Sequence, residues 1–191
     1  MSDFRHETER LVLRDFHGDA DWDAFFRVTN TPAVMQWLLG VLDEDGMQMQ
    51  RGRVEACARR NGFCFWLIER KDDGGHLSGE VLGFCGLKRA DAPGSSVADE
   101  FEIGWRLRED AWGKGYAKEA ARAALDLAFE RFGAEEVHAL TVDPNAPSWG
   151  LMIALGMQRR EDLDYEDERF EPPFRDTIVY SIDREGWRKA R

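Results

Sequence analysis

The feature that most restricts what this 191-residue chain can fold into is a glycine corner feeding a long alanine-striped segment. Trp112-Gly113-Lys114-Gly115-Tyr116 is followed by Ala117, Ala120, Ala121, Ala124, Leu125, Ala128 and Phe132 at helical spacing, and Gly133 closes the run. Such a stripe predicts a helix over 116–132 that buries one face. Glycine lets main-chain N–H groups approach an anion closely, and a helix start adds unpaired donors and partial positive charge. On these residues alone the corner either holds a phosphate or is turn chemistry. Two phosphate loops do not fit. A Walker loop needs glycine where Arg108 stands and a hydroxyl residue where Gly115 stands. A dinucleotide fingerprint needs a small residue at Lys118 and a chain of parallel βαβ units.

Ahead of the corner, residues 8–16 alternate as a strand, and Asp19 or Asp21 is placed to cap a helix carrying Trp22, Phe25, Phe26 and Thr29. Thr31-Pro32 opens a short helical piece through Trp37 and Leu38, and residues 43–61 read as a third helix stopped by Gly62. Three strand-like segments, 63–70, 81–89 and 98–107, are separated by turn-rich stretches and predict an antiparallel meander. After the long helix come a strand over 136–142, a short helix over 148–155 and a last strand over 176–183. The stretch 161–171 carries seven carboxylates and reads as a charged loop that either attracts a cationic acceptor or is simply solvated.

Composition narrows the class. With 43% hydrophobic and 12% aromatic residues there is enough apolar material for one packed core, so the chain is expected to be a single domain over 1–191. The apolar run 63–68 falls far short of the roughly 20 residues that span a bilayer. A net charge of −11 without any Lys/Arg-rich block excludes sequence-independent nucleic-acid binding and favours cationic partners. Cys57, Cys64 and Cys85 form no Cys-x-x-Cys pair, and the opening residues 1–7 lack the apolar stretch of a secretory signal; both lead to an expected cytoplasmic location with reduced thiols. His6, His17 and His76 have no metal-ligand spacing, so no metal is expected.

Four motifs in register resemble the GNAT superfamily of N-acetyltransferases. The corner is similar to its pyrophosphate-binding Arg/Gln-x-x-Gly-x-Gly/Ala segment, and Asp143-Pro144-Asn145-Ala146-Pro147-Ser148 to an Asn-x-x-Ser element. Ala154-Leu155-Gly156-Met157 resembles the Lys-Leu-Gly-Phe turn, and residues 8–14 the first strand, of the ribosomal-protein-alanine N-acetyltransferase (Rim-like) branch. The resemblance implies an α+β fold with a central mixed sheet of six or seven strands, splayed between the fourth and fifth and flanked by helices. It implies acetyl-CoA as cosubstrate and an amine acceptor, either a basic peptide N-terminus or a small amine, with no nucleic acid and no membrane, in a monomer or homodimer. Trp105, Arg106 and Leu107 would hydrogen-bond the pantetheine arm through the main chain. Trp112, Gly113, Lys114, Gly115, Tyr116 and Ala117 would cradle the pyrophosphate, and Asn145 would meet the cofactor near the pantetheine.

The chain departs from the family pattern at Trp112, where Arg or Gln is usual, and at Met152, where many members carry a tyrosine that protonates the departing thiolate. Methionine cannot donate a proton. Ser148 is the replacement candidate, as a helix N-cap, a proton donor or both. An amine must lose a proton to react, and Glu102 or Glu100, on the strand face opposite Phe101, Ile103 and Trp105, is the candidate base, with Glu102 preferred and ordered water as the alternative. His138 lies near its strand's start and is expected to be packed. Direct transfer in a ternary complex is expected, with a non-catalytic CoA-binding module as the alternative.

Overall fold

Strand alternation and glycine stops define the elements of the computed structural model, which describes residues 4–191. Met1, Ser2 and Asp3, part of the opening used for the compartment expectation, lie outside the described residues. The chain divides into two compact units.

The first unit comprises the described residues up to Gly86 and Trp105–Ala120. Its opening segment is a hairpin of β1 (Arg5–Glu7) and β2 (Leu11–Arg14) rather than one strand over 8–16. Thr8 makes the turn: its N–H donates to the Leu11 carbonyl and its Oγ1 accepts from the Leu11 N–H, both at 3.0 Å. Such a side-chain bond offers the backbone an alternative to the extended ladder. α1 (Gly18–Thr29) has His17 at the N-cap position, and the Asp21 carboxylate, which also binds Arg14, accepts from the His17 N–H at 2.6 Å. α2 (Pro32–Met35) is capped by Thr31 and stops before Trp37. α3 (Glu44–Asn61) is capped by Asp43 and ends at Gly62, whose φ of 76° is the left-handed conformation glycine tolerates.

β3 (Phe65–Arg70), β4 (Val81–Arg89) as far as Gly86, the end of β5 (Phe101–Leu107) and the start of α4 (Tyr116–Asp126) complete this unit. Its core joins Trp22 and Phe25 of α1 and Val54 and Cys57 of α3 to Cys64, Leu67 and Phe84. Phe84 stacks on Phe65 at 4.5 Å and on Phe25 at 5.1 Å. Trp22 and Phe25 are thus core residues, and truncating a side chain such as Phe25 to alanine costs about 3–5 kcal/mol. Strand approach at β4 is close enough to require glycine: a Cβ on Gly83 would lie 2.0 Å from the Arg106 carbonyl oxygen.

The second unit comprises Leu87–Gly104 and Ala121–Arg191. It contains the start of β5, the rest of α4, β6 (Glu136–Val142), α5 (Ala146–Ala154), β7 (Gln158–Arg159), β8 (Tyr165–Glu166), β9 (Asp176–Asp183) and α6 (Arg184–Ala190). α4 passes into a wider π-type turn over Leu127–Arg131, and Gly133, at φ 72°, stops it. β5 and β6 run parallel and pair at Phe101↔Val137 and Glu102↔His138 only. β6 and β9 pair antiparallel along their whole length, and β7 and β8 both pair with β9. The hydrogen-bonded order is β1-β2-β3-β4-β5-β6-β9-β7, with β8 also on β9. The α+β class and mixed sheet agree with expectation. Among the described residues there are nine strands instead of six or seven because the hairpin strand β1 and the two-residue strands β7 and β8 add to the long ones.

Two features of the second unit differ from the sequence expectation. The acidic stretch is partly structured, with a helical turn at Glu161–Leu163, β8, and carboxylates of Asp164 and Asp167 bound to Arg159 and Arg169. The chain also ends in a helix: Asp183 caps α6 by accepting from the Gly186 N–H at 2.6 Å, and the buried Trp187 donates its indole N–H to Asp126 at 2.8 Å.

Candidate functional site

The glycine corner lies wholly in the first unit. A short turn at Glu109–Ala111 follows β5, and the Trp112 indole N–H then donates back to the Leu107 carbonyl at 2.9 Å, leaving the ring half exposed. Gly113 and Gly115 take φ of 69° and 80°, left-handed values at which a side chain is strained. The first hydrogen bond of α4 runs from the Glu119 N–H to the Gly115 carbonyl at 3.0 Å. Consequently, among the described residues, the main-chain N–H groups from Gly113 through Lys118 have no acceptor. A row of unpaired amides at the positive end of a helix dipole is suited to a phosphate or diphosphate.

Side chains from the hairpin hold this corner in place. Arg10 donates from Nη1 to the Lys114 carbonyl at 3.0 Å and from Nε to Glu119 at 2.7 Å, and its guanidinium lies 4.5 Å from the centre of the Tyr116 ring. Glu119 also accepts from the Arg10 N–H at 2.7 Å and the Thr8 hydroxyl at 2.6 Å. Burial would raise the Glu119 pKa, but these hydrogen bonds outweigh it and hold the carboxyl below its ordinary range. Tyr116 is buried, donates to the His76 carbonyl at 3.1 Å and accepts from Arg70 Nε at 3.3 Å. Tyr116 therefore anchors the corner from beneath. Neither Arg10 nor Glu119 was a sequence candidate, because their pairing joins residues 109 apart.

At the end of β5, the Arg106 carbonyl faces Gly83 of β4, and the Arg108 N–H donates to Leu82 at 2.9 Å. Main-chain groups alternate along an antiparallel strand, so Trp105 and Leu107 address the opposite edge. The Arg106 side chain sits among aromatic rings, 5.2 Å from the Phe84 centroid and 5.7 Å from that of Phe25, and Nη1 donates to Gln50 Oε1 at 3.0 Å. Burial pushes its pKa down to about 10.

The second unit holds the remaining candidates. Asn145 occupies the N-cap position of α5 and donates from Nδ2 to Thr141 Oγ1 at 3.0 Å. Ser148 is the third residue of the helix, so it is not the N-cap, a correction to one of its two expected roles; its N–H donates to the Asn145 carbonyl at 3.0 Å. Met152 is fully buried and offers no proton. Among the described residues Glu102 makes no hydrogen bond to Asn145 or Ser148; it forms an ion pair with Lys88 Nζ at 3.1 Å, and Lys88 also contacts Asp91 at 2.6 Å. Burial raises the Glu102 pKa, and Lys88 pulls it partly back. His138 is buried, 3.8 Å from Glu136, and burial lowers its pKa, so the ring is neutral. Among the described residues no cluster of His, Cys, Asp or Glu is arranged to hold a metal, and no helix is long and apolar enough to cross a membrane.

A mixed sheet with one short parallel pair leads into a main-chain anion cradle at the start of a helix, an arrangement suited to a cosubstrate that carries a diphosphate. The family model described as an acetyltransferase (GNAT) domain matches residues 10–158, and the chain belongs to that family. It is an N-acetyltransferase of a family that acts with acetyl-CoA and an amine acceptor. It is 34% identical over 166 residues to an uncharacterized N-acetyltransferase, p20, of Bacillus licheniformis, covering 83% of this chain and 85% of that one. It is 30% identical over 149 residues to the FsC-acetyl coenzyme A-N(2)-transacetylase of Aspergillus fumigatus, covering 76% of this chain but only 60% of the length of that relative. The fold matches that of an acetyltransferase from Agrobacterium tumefaciens with a TM-score of 0.76 at 24% identity, covering 96% of both chains.

Proposed function

We propose that this chain moves an acetyl group from acetyl-CoA directly to a primary amine, in a ternary complex, as a single cytoplasmic domain. The observation that carries the reading is the row of unpaired amides from Gly113 through Lys118. Those amides, with the exposed Lys114 beside them, take the pyrophosphate; Trp112 walls the corner and Tyr116 and Ala117 open the helix beneath it. Trp105 and Leu107 offer main-chain groups to the pantetheine arm, while the Arg106 main chain is turned to β4. Asn145 orients the cosubstrate near the acetyl end.

Bound acetyl-CoA supplies the acetyl group as a thioester. Glu102, whose raised pKa suits a general base, takes the proton the amine loses, directly or through ordered water. Ser148 gives a proton to the departing sulfur, so the N–C bond forms as the C–S bond breaks and protons balance. Main-chain polarisation and positioning supply most of the rate. Direct transfer is supported by the cysteines: Cys57, Cys64 and Cys85 are all buried, and burial pushes the Cys85 thiol well above its ordinary range. A nitrogen acceptor is supported by relatives named N-acetyltransferase and N(2)-transacetylase. A protein N-terminus, as in the Rim-like branch, and a small amine are the two acceptor types to compare.

Calorimetry with acetyl-CoA and CoA, followed by thiol release over peptides and small amines, tests the reading. Micromolar binding with acceptor-dependent thiol release is expected. Binding without turnover over the whole panel would leave a cofactor-binding module, and absence of binding would overturn the site.

A further inference from the structure

Three buried side-chain nitrogens among the described residues lack a hydrogen-bond partner: Arg106 Nε, His138 Nδ1 and Arg175 Nε. Arg175 is ion-paired with Glu166, and His138 escapes its cost by staying neutral. Arg106 has neither remedy. Arginine stays protonated at neutral pH, and burial is the one influence on its titration, so no carboxylate among the described residues compensates it. Other guanidiniums of the same unit are paired: Arg14 with Asp21 and Glu69, Arg10 with Glu119, and Arg70 with Asp73.

The unpaired edge has a definite shape. Gln50 occupies Nη1, and the rings of Phe84 and Phe25 flank the group. Among the described residues Nε, whose N–H bond runs parallel to one of those on Nη2, has no hydrogen-bond partner. That pair of donors matches the two oxygens of a carboxylate, and desolvation by the surrounding rings strengthens the bond. A buried, uncompensated cation is costly to the free protein, and a ligand that brings the missing negative charge recovers that cost on binding.

Resting on the acetyltransferase reading, we propose that Arg106 is the carboxylate receptor of the acceptor site and that the preferred acceptor is an amine that also carries a carboxylate, as an amino acid does. This differs from a purely cationic acceptor, which the acidic composition favours and a guanidinium repels.

The test compares thiol release for amino acids of increasing chain length, each against its carboxamide and the matching alkylamine, in wild type, Arg106→Met and Gln50→Glu. Wild type is expected to prefer the carboxylates at least tenfold in kcat/KM, through KM. Both variants are expected to lose that preference, Gln50→Glu because its own carboxylate occupies the guanidinium. Arg106→Met is expected to unfold at a higher temperature than wild type, since it removes an uncompensated buried charge. A second readout needs no turnover: 4-aminobutyrate is expected to raise the melting temperature of the wild-type CoA complex and not that of the Arg106→Met complex. Equal use of carboxylates and carboxamides, or equal 4-aminobutyrate shifts in both proteins, would overturn the proposal while leaving the transferase reading intact. Arg106→Met weakening acetyl-CoA itself would assign the guanidinium to the cosubstrate and overturn it too. If no amine is turned over although acetyl-CoA binds, the transferase reading fails, and the melting shifts alone decide Arg106.

Discussion

Arg10 and Glu119 meet twice, once through the guanidinium and once through the Arg10 main-chain N–H, each at 2.7 Å. The same guanidinium reaches the Lys114 carbonyl at 3.0 Å, so the carboxylate that steadies Arg10 also fixes the corner between the two glycines. With the carbonyl of Lys114 held back, the amides on either side are kept available. Glu119→Gln is expected to weaken acetyl-CoA binding about tenfold, or about 1.4 kcal/mol, with kcat little changed at saturation. Calorimetry combined with saturation kinetics checks this. Unchanged affinity would mean that the corner holds its shape without the clamp.

The clamp also predicts a pH dependence of stability. The folded-state pKa of Glu119 lies below its ordinary value, because hydrogen bonds from Thr8 and Arg10 outweigh the opposing effect of burial. Its contribution is therefore present above the unfolded pKa of about 4.3 and is lost as pH falls through the lower folded value. In denaturant titrations from pH 7 to pH 3, wild type is expected to lose more stability than Glu119→Gln. Parallel losses would show that Glu119 is not among the groups that set the acid limit.

Gly115 gives a sharper test of the cradle. Its φ is 80°, and a Cβ there would lie 3.3 Å from Arg10 Nη2. Gly115→Glu adds backbone strain and places a carboxylate, attracted by Arg10, at the mouth of the amide row. Acetyl-CoA affinity is expected to fall at least a hundredfold, or about 2.7 kcal/mol. Gly113→Ala, with no atom within 4 Å of the added Cβ, is expected to lose far less. Micromolar affinity in Gly115→Glu would place the pyrophosphate elsewhere.

Because Asn145 rather than Ser148 takes the cap position, the two roles considered for Ser148 separate cleanly. Ser148→Ala is expected to lower kcat by tenfold or more while leaving the cosubstrate dissociation constant and thermal stability within error, since removing a hydroxyl without a side-chain partner costs roughly 0.5 kcal/mol or less. Full turnover in Ser148→Ala would remove it as proton donor.

Much of the fold was legible because local signals and tertiary structure agreed. Val81–Arg89, Glu136–Val142 and Asp176–Asp183 end where the alternation ends, and Gly62 and Gly133 stop their helices in left-handed conformations. The hairpin was hidden because Thr8-Glu9-Arg10 continues an alternating pattern that a single side-chain bond redirects. α6 was hidden because its support, Trp187 on Asp126, joins residues 61 apart. For the site, the glycine corner was visible and its Arg10–Glu119 clamp was not. Arg106 carried one usable signal: a fixed cation on the strand leading to the corner, with no acidic residue two or four positions away on that strand except Glu102, which Lys88 occupies.

Glu102 is the remaining prediction, and its sign follows from Lys88. Burial raises the Glu102 pKa, and the ammonium 3.1 Å away opposes the rise. If Glu102 accepts the amine proton, kcat/KM must climb with pH as its carboxyl ionises. Lys88→Met removes the charge that favours the ionised form, so the pKa rises further and the ascending limb moves to higher pH. Glu102→Gln is expected to lower the rate by about 10² or more and to abolish that limb. Comparing an aliphatic amine with a peptide α-amine separates the limb of the enzyme from that of the acceptor, because the acceptor's own pKa near 8 or 10.4 moves with the substrate and the Glu102 limb does not. A limb unmoved by Lys88→Met would return the proton to water.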